Sequence, residues 1–94
     1  MIEVTQTGHS DPLEFDVLVG DGSGETCHQV TMAREICERL TRGACAPERC
    51  IEAAFRFLLD REPKDAILTR FDVVVISRYF PEFETELPRY IAKG

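Results

Sequence analysis

Four cysteines (Cys27, Cys37, Cys45 and Cys50) and two histidines (His9 and His28) are the side chains of this chain most able to do chemistry. Together they suggest zinc, but their spacing suits it poorly. There is no Cys-x-x-Cys pair, and four residues separate Cys45 from Cys50. Cys27 and His28 are neighbours on a predicted strand, where successive side chains point to opposite faces, so both reach one ion only across a bulge. The sequence therefore predicts no metal site. As a nucleophile, Cys45 is the best placed, just ahead of a helix predicted to start at Pro47, whose positive end favours a thiolate. Either histidine would have to be its base, and nothing in the spacing brings one to it. The four cysteines are read as reduced thiols packed like small hydrophobes in or near the core.

Two further patterns carry possible function. Gly20-Asp21-Gly22-Ser23-Gly24 resembles a phosphate loop only in its glycines. Such loops lead from a strand into a helix N-terminus and often include a lysine, whereas this one joins two predicted strands and holds an aspartate. It reads as a hairpin turn, and its single Asp is too little for a calcium loop. The run from Glu62 to Tyr79 has the outline of a helix-turn-helix: a short helix, a turn at Arg70-Phe71, then a second helix. Its contacts to DNA would be Arg70, Ser77 and Arg78. The usual turn glycine is missing, and the flanks are acidic (Asp72, Glu82, Glu84 and Glu86). Phosphate binding needs cations to replace counterions, so nucleic acid is an unfavoured partner.

Charge is distributed unevenly. The first 33 residues hold six carboxylates and no Lys or Arg, while Arg34 to Gly94 hold eleven acids and eleven bases, so the net charge of −6 comes entirely from the N-terminal third. A one-sign region favours partners of the opposite sign. Glu14, Asp16, Asp21 and Glu25 are the candidate surface for a basic protein partner. Glu82, Glu84 and Glu86 read as a solvated face rather than paired catalytic acids.

These residues must be positioned by elements, and the N-terminal third reads as β. Leu13, Phe15, Val17 and Val19 alternate with Glu14, Asp16 and Leu18, the period-2 signature of a half-buried strand. Thr26, His28 and Val30 alternate with Cys27, Gln29 and Thr31, completing an antiparallel hairpin. Residues 2–6 alternate as well and can add a third strand, with Gly8 to Pro12 as the loop.

Helices follow. Met32, Ala33, Ile36, Cys37 and Leu40 recur at helical spacing, and Gly43 stands where a helix end wants a left-handed residue. Pro47 and Glu48 open the next helix. Its wide apolar face, from Cys50 through Phe55, Phe57 and Leu58, makes it the expected centre of the core. Pro63 places its end near Glu62. A short helix from Lys64 to Arg70 is expected to bury Ile67 and Leu68. The stretch Val73-Val74-Val75-Ile76 is β-branched throughout. Asp72 is nevertheless a good N-cap, and Phe71, Val75 and Tyr79 recur every four residues, which favours a helix from Asp72 to Phe80. Phe83, Leu87, Tyr90 and Ile91 suggest a final turn or two packed back on the body.

At 94 residues and 44% apolar, the chain makes one domain with a modest core. Its longest apolar run, Val73 to Ile76, is far below the roughly 20 residues of a membrane span. No basic segment followed by an apolar one marks an export signal, and the protein is read as cytoplasmic.

His28-Gln29-Val30-Thr31, Phe55-Arg56-Phe57-Leu58-Leu59-Asp60-Arg61-Glu62-Pro63, Ile67-Leu68-Thr69-Arg70-Phe71-Asp72 and Tyr79-Phe80-Pro81-Glu82 together resemble a family of short uncharacterised bacterial proteins. The resemblance covers about Phe15 to Tyr90. It implies a bacterial source and carries no assigned activity, so no catalytic or binding residue follows from it.

The expected fold is α+β, an N-terminal antiparallel hairpin or three-stranded sheet (residues 1–32) against three or four helices in a mainly helical region (33–94). The expected function is a non-enzymatic protein-interaction domain with an acidic sheet surface and an exposed edge strand. Its partner is a basic protein or a second copy, with no cofactor. A helix-turn-helix-like DNA binder is the alternative, and a small enzyme or thiol protein is the third reading.

Overall fold

A computed structural model describes residues 1–93; Gly94, the last residue of the range read as mainly helical, lies outside the described residues. The fold is α+β. Strand β1 (Ile2–Gly8), strand β2 (Leu13–Gly20) and strand β3 (Glu25–Met32) form an antiparallel meander. Helix α1 (Arg34–Thr41) and helix α2 (Pro47–Leu59) follow, and strand β4 (Arg70–Asp72) then pairs parallel to β3. Helix α3 (Val74–Tyr79) and helix α4 (Phe83–Lys93) complete the chain. The sheet is mixed, in the order β1-β2-β3-β4.

The alternation of β2 and β3 sends one set of side chains inward. Leu13, Phe15, Val17, Val19, Val30 and Met32 are all almost fully buried on that side. There they meet α2, whose Cys50, Ile51, Ala53, Ala54, Phe55 and Phe57 are equally buried. Residues on two faces of one helix are inside because the sheet lies against one of them and α4 against the other. Phe57 makes edge contacts with Phe83 and Tyr90 of α4, at centroid distances of 5.1 and 5.7 Å. The central role expected for this helix holds, although it ends at Leu59, three residues before the proline break would require.

The region after α2 departs furthest from expectation. The helix predicted over Lys64 to Arg70 is a single 3-10 turn, Lys64–Ala66, followed by extended chain. Pairing to β3 accounts for the difference. The Gln29 amide donates to the Thr69 carbonyl (2.8 Å), the Val73 amide donates to the Thr31 carbonyl (2.9 Å), and β4 lies between them. Backbone bonds to β3 replace those a helix would have made internally. A helix does follow Asp72, but Asp72 itself closes β4, Val73 is the N-cap, and the helix runs from Val74 to Tyr79 rather than from Asp72 to Phe80. The Asp72 carboxylate accepts the Val74 amide at 3.0 Å, and α3 runs six residues. The last helix is longer than a turn or two, eleven residues with Pro88 inside it. Burial of Phe83 and Leu87 against α2, and a bond from Arg49 Nη2 to the Ile91 carbonyl (3.0 Å), hold it despite the proline.

Candidate functional site

The second face of the sheet carries no helix. It presents Glu3, Thr5 and Thr7 from β1, Glu14, Asp16 and Leu18 from β2, Glu25, Cys27 and Gln29 from β3, and Arg70 from β4. All but Leu18 are exposed. The register aligns Thr5, Asp16, Gln29 and Arg70 in one row across the four strands. Asp16 and Arg70 are two strands apart, roughly 10 Å, too far for an ion pair.

Glu14, Asp16 and Glu25 therefore occupy the surface expected of them, and Glu3 joins them. Among the described residues, none of these four carboxylates has an ion-pair partner. The acids at the start of α4 and just before it differ. Glu82 pairs with Arg61 (3.1 Å), Glu84 with Arg39 (2.8 Å) and Glu86 with Arg89 (2.6 Å). Four of the six N-terminal carboxylates thus stand without an ion-pair partner on a single face.

Asp21 does not belong to that face. It folds into the β2–β3 turn, where its Oδ1 accepts the Ser23 hydroxyl (2.7 Å) and the Ser23 amide (3.0 Å) and lies 3.3 Å from Lys64 Nζ. The two bonds from Ser23, with Lys64 adding to them, hold the Asp21 carboxyl at about 2. Lys64 is only 6% exposed, its stem covered while its ammonium reaches Asp21 and Ser23. Gly22 and Gly24 adopt positive φ (88° and 136°), so the glycine loop is a hairpin turn and not an anion cradle.

The helix-turn-helix reading loses its first helix to the 3-10 turn and β4. Arg70 sits on the sheet face rather than in an inter-helix turn. The Ser77 hydroxyl is buried without a hydrogen-bond partner and cannot reach a base. Of the three expected contacts, Arg78 alone is exposed on a helix.

The thiols are not all packed inside as expected: Cys27 is exposed on the sheet face, while burial raises the Cys45 thiol, outweighing the opposing pull of Arg49. Cys37 is raised for the same reason, and Cys50 is pushed up to about 12. His28 is a packed residue: its Nε2 lies 2.8 Å from Thr26 Oγ1, its Nδ1 lies 2.8 Å from the Leu68 carbonyl, and its ring tilts against Phe55. Among the described residues no three His, Cys, Asp or Glu gather as a metal-ligand set.

A second feature escaped the sequence reading. Past β4, the chain from Glu62 to Leu68 and helix α3 enclose a groove of about 420 Å³. Leu58, Ile67, Phe71 and Ile76, all buried, form its floor. Its rims carry Leu68 and Tyr79, 47% and 68% exposed. Leu68 was expected inside. In extended chain its neighbour Ile67 turns inward, so Leu68 turns out. That alternation was the available signal, masked by reading the segment as a helix.

No family model matches this chain, and no curated protein or solved structure matches it either. No helix among the described residues is long and apolar enough to cross a membrane.

Proposed function

We propose that this is a non-enzymatic protein-binding domain whose uncovered sheet face recognises a basic partner. The observation that supports it most is the set of unpaired carboxylates Glu3, Glu14, Asp16 and Glu25 on one helix-free face, opposed by the lone cation Arg70. Glu82, Glu84 and Glu86 have arginine partners, whereas this face holds four carboxylates together without one, so a stretch of Lys or Arg gains by lying across it. Polar side chains such as Thr5, Gln29 and Thr7 stand between the acids and offer hydrogen bonds that fix register.

The test is an NMR titration of the isotope-labelled chain with an alternating Lys-Thr peptide. Amide shifts are expected to concentrate at residues 3–7, 14–18 and 25–31, and the affinity to fall as salt rises. Each exposed ion pair contributes about 0.5 kcal/mol. The combined Glu14→Gln, Asp16→Asn and Glu25→Gln variant should therefore bind roughly tenfold more weakly. Shifts scattered over the helices, or affinity indifferent to both salt and the triple variant, would defeat the proposal.

A further inference from the structure

We propose that the groove between residues 62–68 and α3 receives an amphipathic helix of another protein, its apolar stripe on the groove floor and a Lys or Arg against Glu62. This stands on the groove itself and does not need the sheet-face reading. Three observations fix the occupant. The first is charge. Glu62 is the one charged residue lining an otherwise apolar trough, and no ion-pair partner for it exists among the described residues. A carboxylate beside desolvated apolar surface is best covered by an apolar element that brings its own cation.

The second observation is exposed apolar surface. Leu68 and Tyr79 are two of the three exposed large hydrophobics among the described residues, and both line the same groove, one from each side element. A small ligand on the floor leaves both rims in water. A helix, about 10 Å across, offers an apolar stripe for the floor and side chains on either side of it for Leu68 and Tyr79. An exposed tyrosine at the edge of an apolar hollow is also the residue type that most often anchors an interface.

The third is the poverty of the adjacent sheet edge. β4 has three residues, and the chain turns into α3 directly after it. An extended peptide added there gains few main-chain bonds, whereas a helix arrives with its backbone already satisfied.

The probe is a fluorescent peptide of about 18 residues with Leu at i, i+3, i+4 and i+7 and Lys elsewhere, titrated by anisotropy against the full chain. A second peptide carries Glu in place of every Lys. The Lys peptide should saturate with a Kd on the order of 10 μM. Leu68→Ser and Tyr79→Ser, both surface changes that leave the core intact, should each weaken it roughly tenfold. Glu62→Lys should reverse the preference, so that the Glu peptide binds the tighter. Absence of saturation by about 300 μM, or equal affinity for the rim variants, overturns the proposal. Loss of binding in the Glu14→Gln and Asp16→Asn variant with the rim variants unaffected moves the peptide to the sheet face, refuting the groove and leaving the other reading intact. An uncharged apolar dye that binds in a Leu68-dependent manner while neither peptide does assigns the groove to a small ligand. A dimer lost on Tyr79→Ser assigns it to a second copy. Either result overturns the helix.

Discussion

At the scale of the residue, the most consequential pair is Lys64 and Asp21. Lys64 is 6% exposed, and its ammonium meets Asp21 and Ser23 of the β2–β3 turn as well as its neighbour Asp65. The turn is thereby tied to the segment leading into β4. Because Asp21 has a lower pKa folded (about 2) than its ordinary value of 3.8, the folded state binds its proton less readily than the unfolded chain does. The stability this confers is complete above about pH 4 and fades as pH falls toward about 2. Asp21→Asn should therefore be less stable than the wild type by a constant amount near neutrality. The two should converge as pH drops through that window, measured as urea midpoints at several pH values. A gap that persists unchanged in acid would show that the carboxylate charge is not what matters. Salt should narrow the gap only in part, since Ser23 supplies the larger share of the effect and Lys64 the smaller.

At the scale of the element, helix ends show where the chain has chosen geometry over residue preference. α1 closes on Arg42, which takes the left-handed conformation (φ 52°) while its amide donates to the Glu38 carbonyl at 2.7 Å. Gly43 follows at φ 75°. The expected glycine is present but one residue late, and an arginine carries the first left-handed position. A side chain there costs roughly 1–2 kcal/mol, and glycine's freedom in the unfolded chain returns roughly 0.5–1. Arg42→Gly should raise stability by about 0.5–1 kcal/mol in guanidinium unfolding. A loss instead would mean that the arginine side chain contributes more than its backbone strain takes away. β4 makes the same point in reverse. Three residues with no local strand pattern are extended because β3 offers them amide and carbonyl partners. Isolated from that neighbour, the same residues read as the join between two helices, Arg70 ending one and Asp72 capping the next.

At the scale of the whole molecule, one core is shared by two interfaces of α2. Its radius of gyration, 12.2 Å, is that of a chain folded as a single body, about 12 Å for this length. The sheet side is closed by Phe15, Val17, Val30 and Phe55. The α4 side is closed by Phe57, whose ring also lies 3.6 Å beneath the Arg61 guanidinium. Arg61 in turn reaches Glu82, and the Tyr90 hydroxyl donates to Asp60 at 2.6 Å, so polar bonds ring the aromatic cluster. Phe57→Ala should cost about 3–5 kcal/mol. A domain of this size has only about 5–15 kcal/mol in all, so the variant should show a much lower urea midpoint or fail to fold. A loss under about 1 kcal/mol would mean that α4 is not firmly docked on α2.

The sequence by itself determined what rests on local periodicity and short-range chemistry. Alternation along β2 and β3 named the buried face and the acidic one. Glycines at 22 and 24 named the turn between them, and the breadth of α2's apolar surface named the core helix. Glu14, Asp16 and Glu25 were placed because a strand's period is two and their neighbours are apolar. Tertiary structure alone decided what depends on residues distant along the chain. Asp21, held in the turn by Ser23, gains Lys64, 43 positions later, as its ion-pair partner. Arg70 joined that face because β3 pulls its segment into the sheet. The groove brings together Leu68 and Tyr79, which lie on either side of β4 in the chain. None of these has a sequence period, because each is set by loop closure and by hydrogen-bond partners that exist only once the sheet has formed.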